Sequence, residues 1–548
     1  VWAMGWDRRS VLLAVCDNES WQTYRLPKAS HAMDPTHGWY TEWPRIREVQ
    51  QNFALMCMHG MFYRFPLDFR HDHTGGIRPL ASHLRYVTDF CGLKDLLVLS
   101  ADDTSILENP LAGQSQSNLW FGRLEDLSTW GIGYAFGGPW LGDRVEEDVP
   151  SDPYLFDGFR GRMLHLAAGG GEPVDVLLEI DRDGNGEWEP YASMRIPSSG
   201  YTWRAFEDRE PGEWIRLRTN RDATISAYFH YAASLSRERV TDEALFAGLP
   251  DQGDAVDPVL VRPAGHNGHL QIVAGTSPTP SGGAGDASSP TYYELDGRMQ
   301  LSQIDDPDLA AATLTILQRP EPLVGYDEAS AFVTTLEGMK LRLPRVAGTT
   351  PNGRDIREVQ SERSLAHIGN IFYEIPRGEL GKHVLEYRKM RPVSAHTKVI
   401  SDFCSWRGLL VLAGAKRDVV GDGHVFGGAD GGPAVWCGMV DDLWKLGKPV
   451  GIGGPWKDSA VTAGQPSDPY LMTGFDQKSV ELSHDSSEPV TFRIEIDYSN
   501  RDYWKPYTEI VAPAGETVRY EFPAQYLAHW GRFVADRDCE ATAWLTYE

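Results

Sequence analysis

The sequence predicts an all-β protein, and three observations carry that prediction. Short apolar runs alternate with turn residues along the whole chain. Fifty-five glycines and 35 prolines punctuate them, as hairpin-connected antiparallel strands require. The chain also contains itself twice: residues 7–231 are echoed, in order, by residues 327–547. Arg47-Glu48-Val49-Gln50 returns as Arg357-Glu358-Val359-Gln360, and Asp89-Phe90-Cys91 as Asp402-Phe403-Cys404. Gly137-Gly138-Pro139-Trp140 returns as Gly453-Gly454-Pro455-Trp456, and Ser151-Asp152-Pro153-Tyr154-Leu155 as Ser467-Asp468-Pro469-Tyr470-Leu471.

In chain order, strands are predicted at residues 11–15, 55–58, 96–99, 176–180 and 214–218, with counterparts in the second copy. Residues 269–273 and 292–295 read as further strands between the copies, and 276–290 is a polar loop by composition. Helical periodicity is confined to 241–249 and 308–317. A Gly-aromatic-polar signal recurs at Gly5-Trp6-Asp7, Gly158-Phe159-Arg160, Gly325-Tyr326-Asp327 and Gly474-Phe475-Asp476, which suggests repeated β units. Each half holds roughly four units of about 40–50 residues. The expected fold is therefore one closed β-propeller of seven or eight blades built from an internal duplication. The strand at Val11 and the last strand at Trp544 are candidates for closing it. The alternative is two linked β-rich domains. The divisions are 1–232, 233–325 and 326–548.

Bulk properties limit the partners. A net charge of −25 argues against nucleic acid and against an anionic membrane surface. No apolar run reaches the roughly 18 residues of a membrane span. The first residues form no signal peptide, and because a chain that starts abruptly at Val1 can have been trimmed, this leaves the compartment, export included, open. The six cysteines form no CxxC pair and are expected to be small core residues. No nucleophile elbow, phosphate loop or dinucleotide fingerprint is present, so no cofactor is expected to be required.

A single site need not survive duplication, so differences between copies point to it. Between Leu26-Pro27 and Arg47, copy one carries extra residues. This loop, from Ser30 to Arg45, holds His31, Asp34, His37, Trp39, Tyr40, Glu42, Trp43 and Arg45. His59 faces Gly369, and Asp102 and Asp103 face Ala415 and Lys416. Gln114, Gln116 and Asn118 belong to a polar run that copy two replaces. Arg78 is shared with Arg391, and Trp188, Tyr191 and Arg221-Asp222 also have counterparts. Shared positions read as packing and turn-fixing residues.

Three chemistries fit the set. Glu42 with Asp102 or Asp103 supplies the acid and base of glycoside hydrolysis, with His37 and His59 assisting. His, Tyr and Arg together suit β-elimination on a uronate. A divalent metal on His71 and His73, which would share one face of a strand, is a further alternative. Asp181, Asp183 and Asn185 resemble the start of a calcium loop, although Ala192 occupies the twelfth position and a hairpin turn is the simpler reading.

The aromatic-rich β repeats and the Ser30 to Arg45 loop resemble propeller-fold carbohydrate-active enzymes of bacteria, glycoside hydrolases and polysaccharide lyases among them. The resemblance is one of architecture and residue mixture and matches no family motif. It implies cleavage of a glycosidic bond in a poly- or oligosaccharide, with hydrolysis ahead of elimination. Glu42, Asp102, Asp103, His37 and His59 are then the catalytic candidates. Trp39, Tyr40, Trp43, Arg45, Arg78, Gln114, Gln116 and Asn118 are the substrate-binding candidates. A non-catalytic glycan-binding propeller and a self-assembling structural protein are the rival classes.

Overall fold

The computed structural model describes the chain except residues 33, 35–43, 51, 105–108, 115, 132, 209, 233–240, 255, 257, 276–289, 318–323, 350–352, 361–362, 378–384, 420–422, 429–430 and 525, and the side chain of Gln50. It is all-β. The strands alternate as the sequence pattern dictates: Val11–Asp17 buries Val11, Leu13 and Val15, and Val174–Asp181 buries Val174, Val176, Leu178 and Ile180. Such a period of two is what a strand with one packed face shows.

Each copy builds a corresponding set of sheets, the outer one with three strands in copy one and four in copy two, and among the described residues no sheet mixes strands of the two copies. Copy one has a seven-stranded sheet in the order Trp2–Trp6, Val11–Asp17, Ser20–Leu26, Tyr154–Leu155, Trp214–Thr219, Val174–Asp181, Glu189–Ile196. A four-stranded sheet of Tyr134–Val145, Ala223–Ala232, Gly161–Ala168 and Tyr201–Ala205 packs on it, and the pair shares one core. Two smaller sheets are inserted within this sandwich. The inner meander is Arg45–Gln50, Phe53–Met58, Met61–Phe65 and Arg78–Ser82; the outer is Val87–Leu93, Leu96–Asp102 and Ser117–Gly122. The inner meander turns Met56, Met58, Met61 and Tyr63 to the sandwich and Leu55, Cys57 and Phe62 to the outer meander.

Copy two repeats this order. Its inner meander is Ile356–Gln360, Arg363–Ile368, Ile371–Pro376 and Arg391–Ala395. Its outer sheet is Phe403–Trp406, Leu409–Ala413, Ala434–Gly438 and Val425–Gly427. Between the copies, a connecting sheet of Val259–Ala264, His269–Ala274, Thr291–Asp296 and Leu301–Gln303 packs one face on the outer sheet of copy two. Its other face meets the helix Pro307–Leu317. The second helical candidate, 241–249, forms turns instead.

The repeated motifs acquire physical roles. Arg25 donates to Asp152, Asp7 and Ser10, while Arg342 donates to Asp468, Asp327 and Ser330. The Ser-Asp-Pro-Tyr-Leu segment thus carries the acid that anchors a buried arginine. In Gly-Gly-Pro-Trp, a Cβ on Gly138 would lie 1.9 Å from the Ala227 carbonyl oxygen, and one on Gly454 would lie 1.8 Å from that of Ala543. Both sit at register shifts between paired strands, where the backbones come too close for a side chain. Gly158 and Gly474, in the left-handed region, rest on Pro79 and Pro392, so this signal packs in each copy on the last strand of that copy's inner meander.

Two expectations change. Propeller blades are four-stranded antiparallel sheets, and the two seven-stranded sheets, each containing a parallel pair, are not blades. The strands at Val11 and Trp544 lie in different sheets and close nothing. The core of copy one is built from its own residues, while that of copy two also takes in Phe136, Met163, Tyr201 and Tyr228 of copy one. The six cysteines are free thiols, and Cys91 is exposed rather than buried. Among the described residues, no helix is long and apolar enough to cross a membrane.

Candidate functional site

The copies meet along a seam rich in histidine and tyrosine. The outer face of the first four-stranded sheet contributes Phe136, Met163, Tyr201 and Tyr228 to the core of copy two, beside Tyr498 and Tyr526. His165 Nδ1 is 2.9 Å from the Tyr201 hydroxyl, and its Nε2 donates to the Leu527 carbonyl at 2.8 Å. His230 Nε2 donates to the Tyr498 carbonyl at 2.8 Å. The His230 ring lies 5.2 Å from His165 and 4.7 Å from His529, which is 5.9 Å from His31. Burial lowers the pKa of all four, that of His230 to about 4, so they are neutral at pH 7.

One end of the seam opens as a cleft. Ser30, His31, Tyr134, Phe136, Lys389, Arg391, Trp444 and His529 are on its wall. The space open to water centres is about 20 Å³, enough for a water or two. Asp34 is the anionic hub behind the wall. Lys28 Nζ donates to Asp34 Oδ1 and His31 Nδ1 to Asp34 Oδ2, both at 2.5 Å, and His59 Nδ1 is 3.9 Å away. His31 and Lys28 hold the Asp34 carboxyl far below its ordinary range against the opposing effect of burial. With its proton on Nδ1, His31 presents Nε2 as an acceptor, which receives the Asn500 amide at 3.2 Å. Opposite, Ser30 Oγ donates to Glu374, which is paired with Arg391. The Tyr134 hydroxyl donates to Asp476 at 2.6 Å. The arrangement places a carboxylate-oriented imidazole, a phenol and two cations around one narrow opening.

The sequence-predicted residues are dispersed. His37, Trp39, Tyr40, Glu42 and Trp43 lie outside the described residues. Of the described candidates, only His59 joins the Asp34 group. Asp102 accepts from Ser117 at 2.6 Å. Asp103 is buried against copy two, accepts from the Gly408 N–H at 2.7 Å, and burial pushes its carboxyl up to about 7. Gln114 Oε1 lies 2.7 Å from His266 Nδ1, Gln116 donates to the His266 carbonyl at 3.4 Å, and Asn118 lies against Gly408. These polar residues join the outer meander to other parts of the chain. Arg45 is 3.6 Å from Asp89, and Arg78 pairs with Glu213 and Asp157.

The metal candidates are likewise engaged. Residues 70–73 form a tight turn rather than a strand. His71 Nε2 donates to the Val15 carbonyl, and His73 faces Asp68. Asp181 accepts the N–H groups of Gly184, Asn185 and Gly186, Asn185 accepts from Glu187, and Asp183 is exposed. Asp497 holds the equivalent turn in copy two, accepting from Ser499 and Asp502. This is a hairpin turn held by its own backbone. Among the described residues no group of three or more His, Cys, Asp or Glu is arranged to hold a metal.

Sequence reasoning missed the seam because it sought differences in the loops of copy one. In register, His165 stands opposite the position of Glu481, His230 of Thr546, His529 of Glu213, Tyr498 of Arg182 and Asn500 of Gly184. The signal was therefore present, on strands of copy one and in turns of copy two.

No family model matches this chain, and no curated protein matches it in sequence. Solved structures give faint likenesses. The tandem CBM22-1–CBM22-2 domain of Paenibacillus barcinonensis Xyn10C is 9% identical over 76% of this chain and 92% of that one, with a TM-score of 0.12. A point variant of the oxalate decarboxylase of B. subtilis is 9% identical over 87% and 79%, at 0.13. A point mutant of the Bombyx mori GH32 β-fructofuranosidase BmSUC1, solved with sucrose, is 9% identical over 92% and 90%, at 0.09. At these TM-scores none of them bears on fold or function.

Proposed function

We propose that the protein is a glycan-degrading enzyme acting at the seam cleft, with the Ser30 to Arg45 loop completing the site. The observation that carries this reading is the His31–Asp34 pair. It presents an oriented neutral imidazole to an opening walled by Tyr134, Lys389, Arg391 and Trp444. In this reading Glu42 of the loop is the protonated acid, and His31, oriented from behind the wall by Asp34, is the base that activates water. The His31–Asp34 pair takes the place of Asp102 and Asp103, which are engaged elsewhere. Trp39, Tyr40 and Trp43 supply the aromatic faces on which sugars stack.

Elimination on a uronate is the second reading, favoured by the cations on the wall. Lys389 and Arg391 would neutralise the sugar carboxylate while His31 and Tyr134 move protons. One experiment separates the two: incubation with neutral and uronate-containing polysaccharides, following reducing ends together with the ultraviolet absorbance of the unsaturated product. Reducing ends alone are expected, and both signals together mean elimination. His31→Ala and Asp34→Asn should each lower the rate about 10²- to 10⁴-fold with the fold intact. No product on any glycan, or full activity in both variants, overturns the reading.

A further inference from the structure

The two outer sheets carry equivalent outward faces, and among the described residues another sheet covers only the one in copy two. In copy two this face consists of Cys404, Trp406, Leu409, Val411, Val435 and Cys437. It packs against Val259, Val261, Leu270, Ile272 and Leu295 of the connecting sheet. Strand register assigns the matching positions in copy one to Cys91, Leu93, Leu96, Val98, Leu119 and Phe121. There Leu119 is 60% exposed, Phe121 55% and Leu93 50%, and Cys91 is exposed. The other large exposed apolar residues are scattered over the chain, whereas Leu93, Leu96, Leu119 and Phe121 share this one face. A contiguous apolar sheet face of this kind marks an interaction surface.

The surroundings say what can approach. The face is bordered by both signs of charge: Asp89 with Arg45 and Arg47 on one side, and Lys94 with Asp95 at the hairpin tip. A groove with about 450 Å³ of water-accessible space runs beside it, lined by Val49, Leu96, Leu97 and Leu124 and rimmed by Lys94, Asp95, Arg123 and Glu125. The patch is thus locally balanced although the chain carries −25 overall. Two copies of it can meet without the like-charge repulsion that the net charge imposes elsewhere. The copy-two interface shows that this strand arrangement accepts another sheet face to face, aliphatic on aliphatic. An identical face on a second molecule brings that chemistry, and a two-fold pairing covers both at once.

We propose that the outer meander of copy one is a self-association surface, joining two molecules through Leu93, Leu96, Leu119 and Phe121. The test is the solution mass of the full chain from about 0.1 to about 100 μM, the range in which a specific dimer forms. A rise from 61.1 kDa to twice that mass is expected. Alkylation of Cys91 should slow several-fold over the same range, because its thiol lies on the joined face. Leu119→Lys should keep the chain at monomer mass at every concentration. Leu93→Gln, a milder change at the hairpin tip, should shift the transition to higher concentration if the lysine variant misfolds. A wild-type chain that stays monomeric overturns the proposal. So does a dimer whose mass and Cys91 reactivity ignore both substitutions, and this outcome would place the contact on another face.

Discussion

Asp89 and Asp402 occupy the same place in the two copies, yet they live in different physical worlds. Each follows an inner meander, accepts the next residue's N–H, and faces the arginine of its Arg-Glu-Val-Gln segment. The Asp89 side chain is 51% exposed and Arg47 is 3.2 Å away in open solvent. Asp402 is fully buried, with Arg354 at 2.8 Å, Arg357 at 2.9 Å and the Val261 N–H of the connecting sheet at 2.9 Å. The arginines keep its carboxyl below the ordinary range although burial opposes them. One sheet laid over one copy turns a surface ion pair into a buried network. Equal sequence does not imply equal energetics, because the dielectric around a pair, not its identity, decides what it contributes.

The sharpest way to break this comparison is Asp402→Ala. Removal leaves two buried guanidinium groups without their anion, at a cost of about 3–5 kcal/mol. Denaturant unfolding should show that loss, and Asp402→Asn should lose about as much, because its one amide oxygen can accept from only one of the Val261 and Phe403 N–H groups and it brings no charge to the arginines. A change under about 1 kcal/mol would mean that water reaches the arginines and the network is not sealed.

The second test uses the seam, where the copies diverge. His230 is buried and neutral, with its pKa lowered from the ordinary value to about 4, while copy two has Thr546 there. Between about pH 6.5 and 4 the unfolded chain binds a proton at this position that the folded chain does not. Stability therefore falls as pH falls through that window, by roughly 3 kcal/mol from this residue. His230→Thr, the copy-two residue, should flatten the stability-versus-pH curve by about that amount between those limits. Curves that stay parallel would show that the dependence lies with the other buried histidines, among them His165, His529, His59, His83, His367 and His396.

How much of this could be read beforehand differs between fold and site. The duplication, the strand runs and the helix near 308–317 were legible because they are local patterns. The seven-stranded sheets were not. Each depends on a two-residue strand, Tyr154–Leu155 or Tyr470–Leu471, that pairs in parallel with a strand far back in the chain. No local period encodes such a pairing. The Gly-aromatic signals suggested blades, but Gly158 is needed because Pro79 presses on it, which is a packing demand and not a repeat boundary. In the site, the loop near His31 was legible from its composition. His529 and Asn500 were not, because a histidine in a turn of copy two becomes part of a cleft only through contact with copy one.

The smallest expected effect completes the comparison. Asp89→Ala removes an ion pair of half-exposed groups, so the loss should be under about 1 kcal/mol in the monomer, several-fold less than at Asp402. The contrast is informative only at low protein concentration, where the copy-one face is open. If a second molecule covers that face, Asp89, Arg45 and Arg47 move toward the environment of Asp402, Arg354 and Arg357. The cost of Asp89→Ala should then rise as the chain is concentrated, while the cost of Asp402→Ala should not change. Unfolding each variant at two concentrations measures this. An Asp89→Ala effect that stays small at both would mean that the border of the face remains in solvent even if its apolar centre is covered.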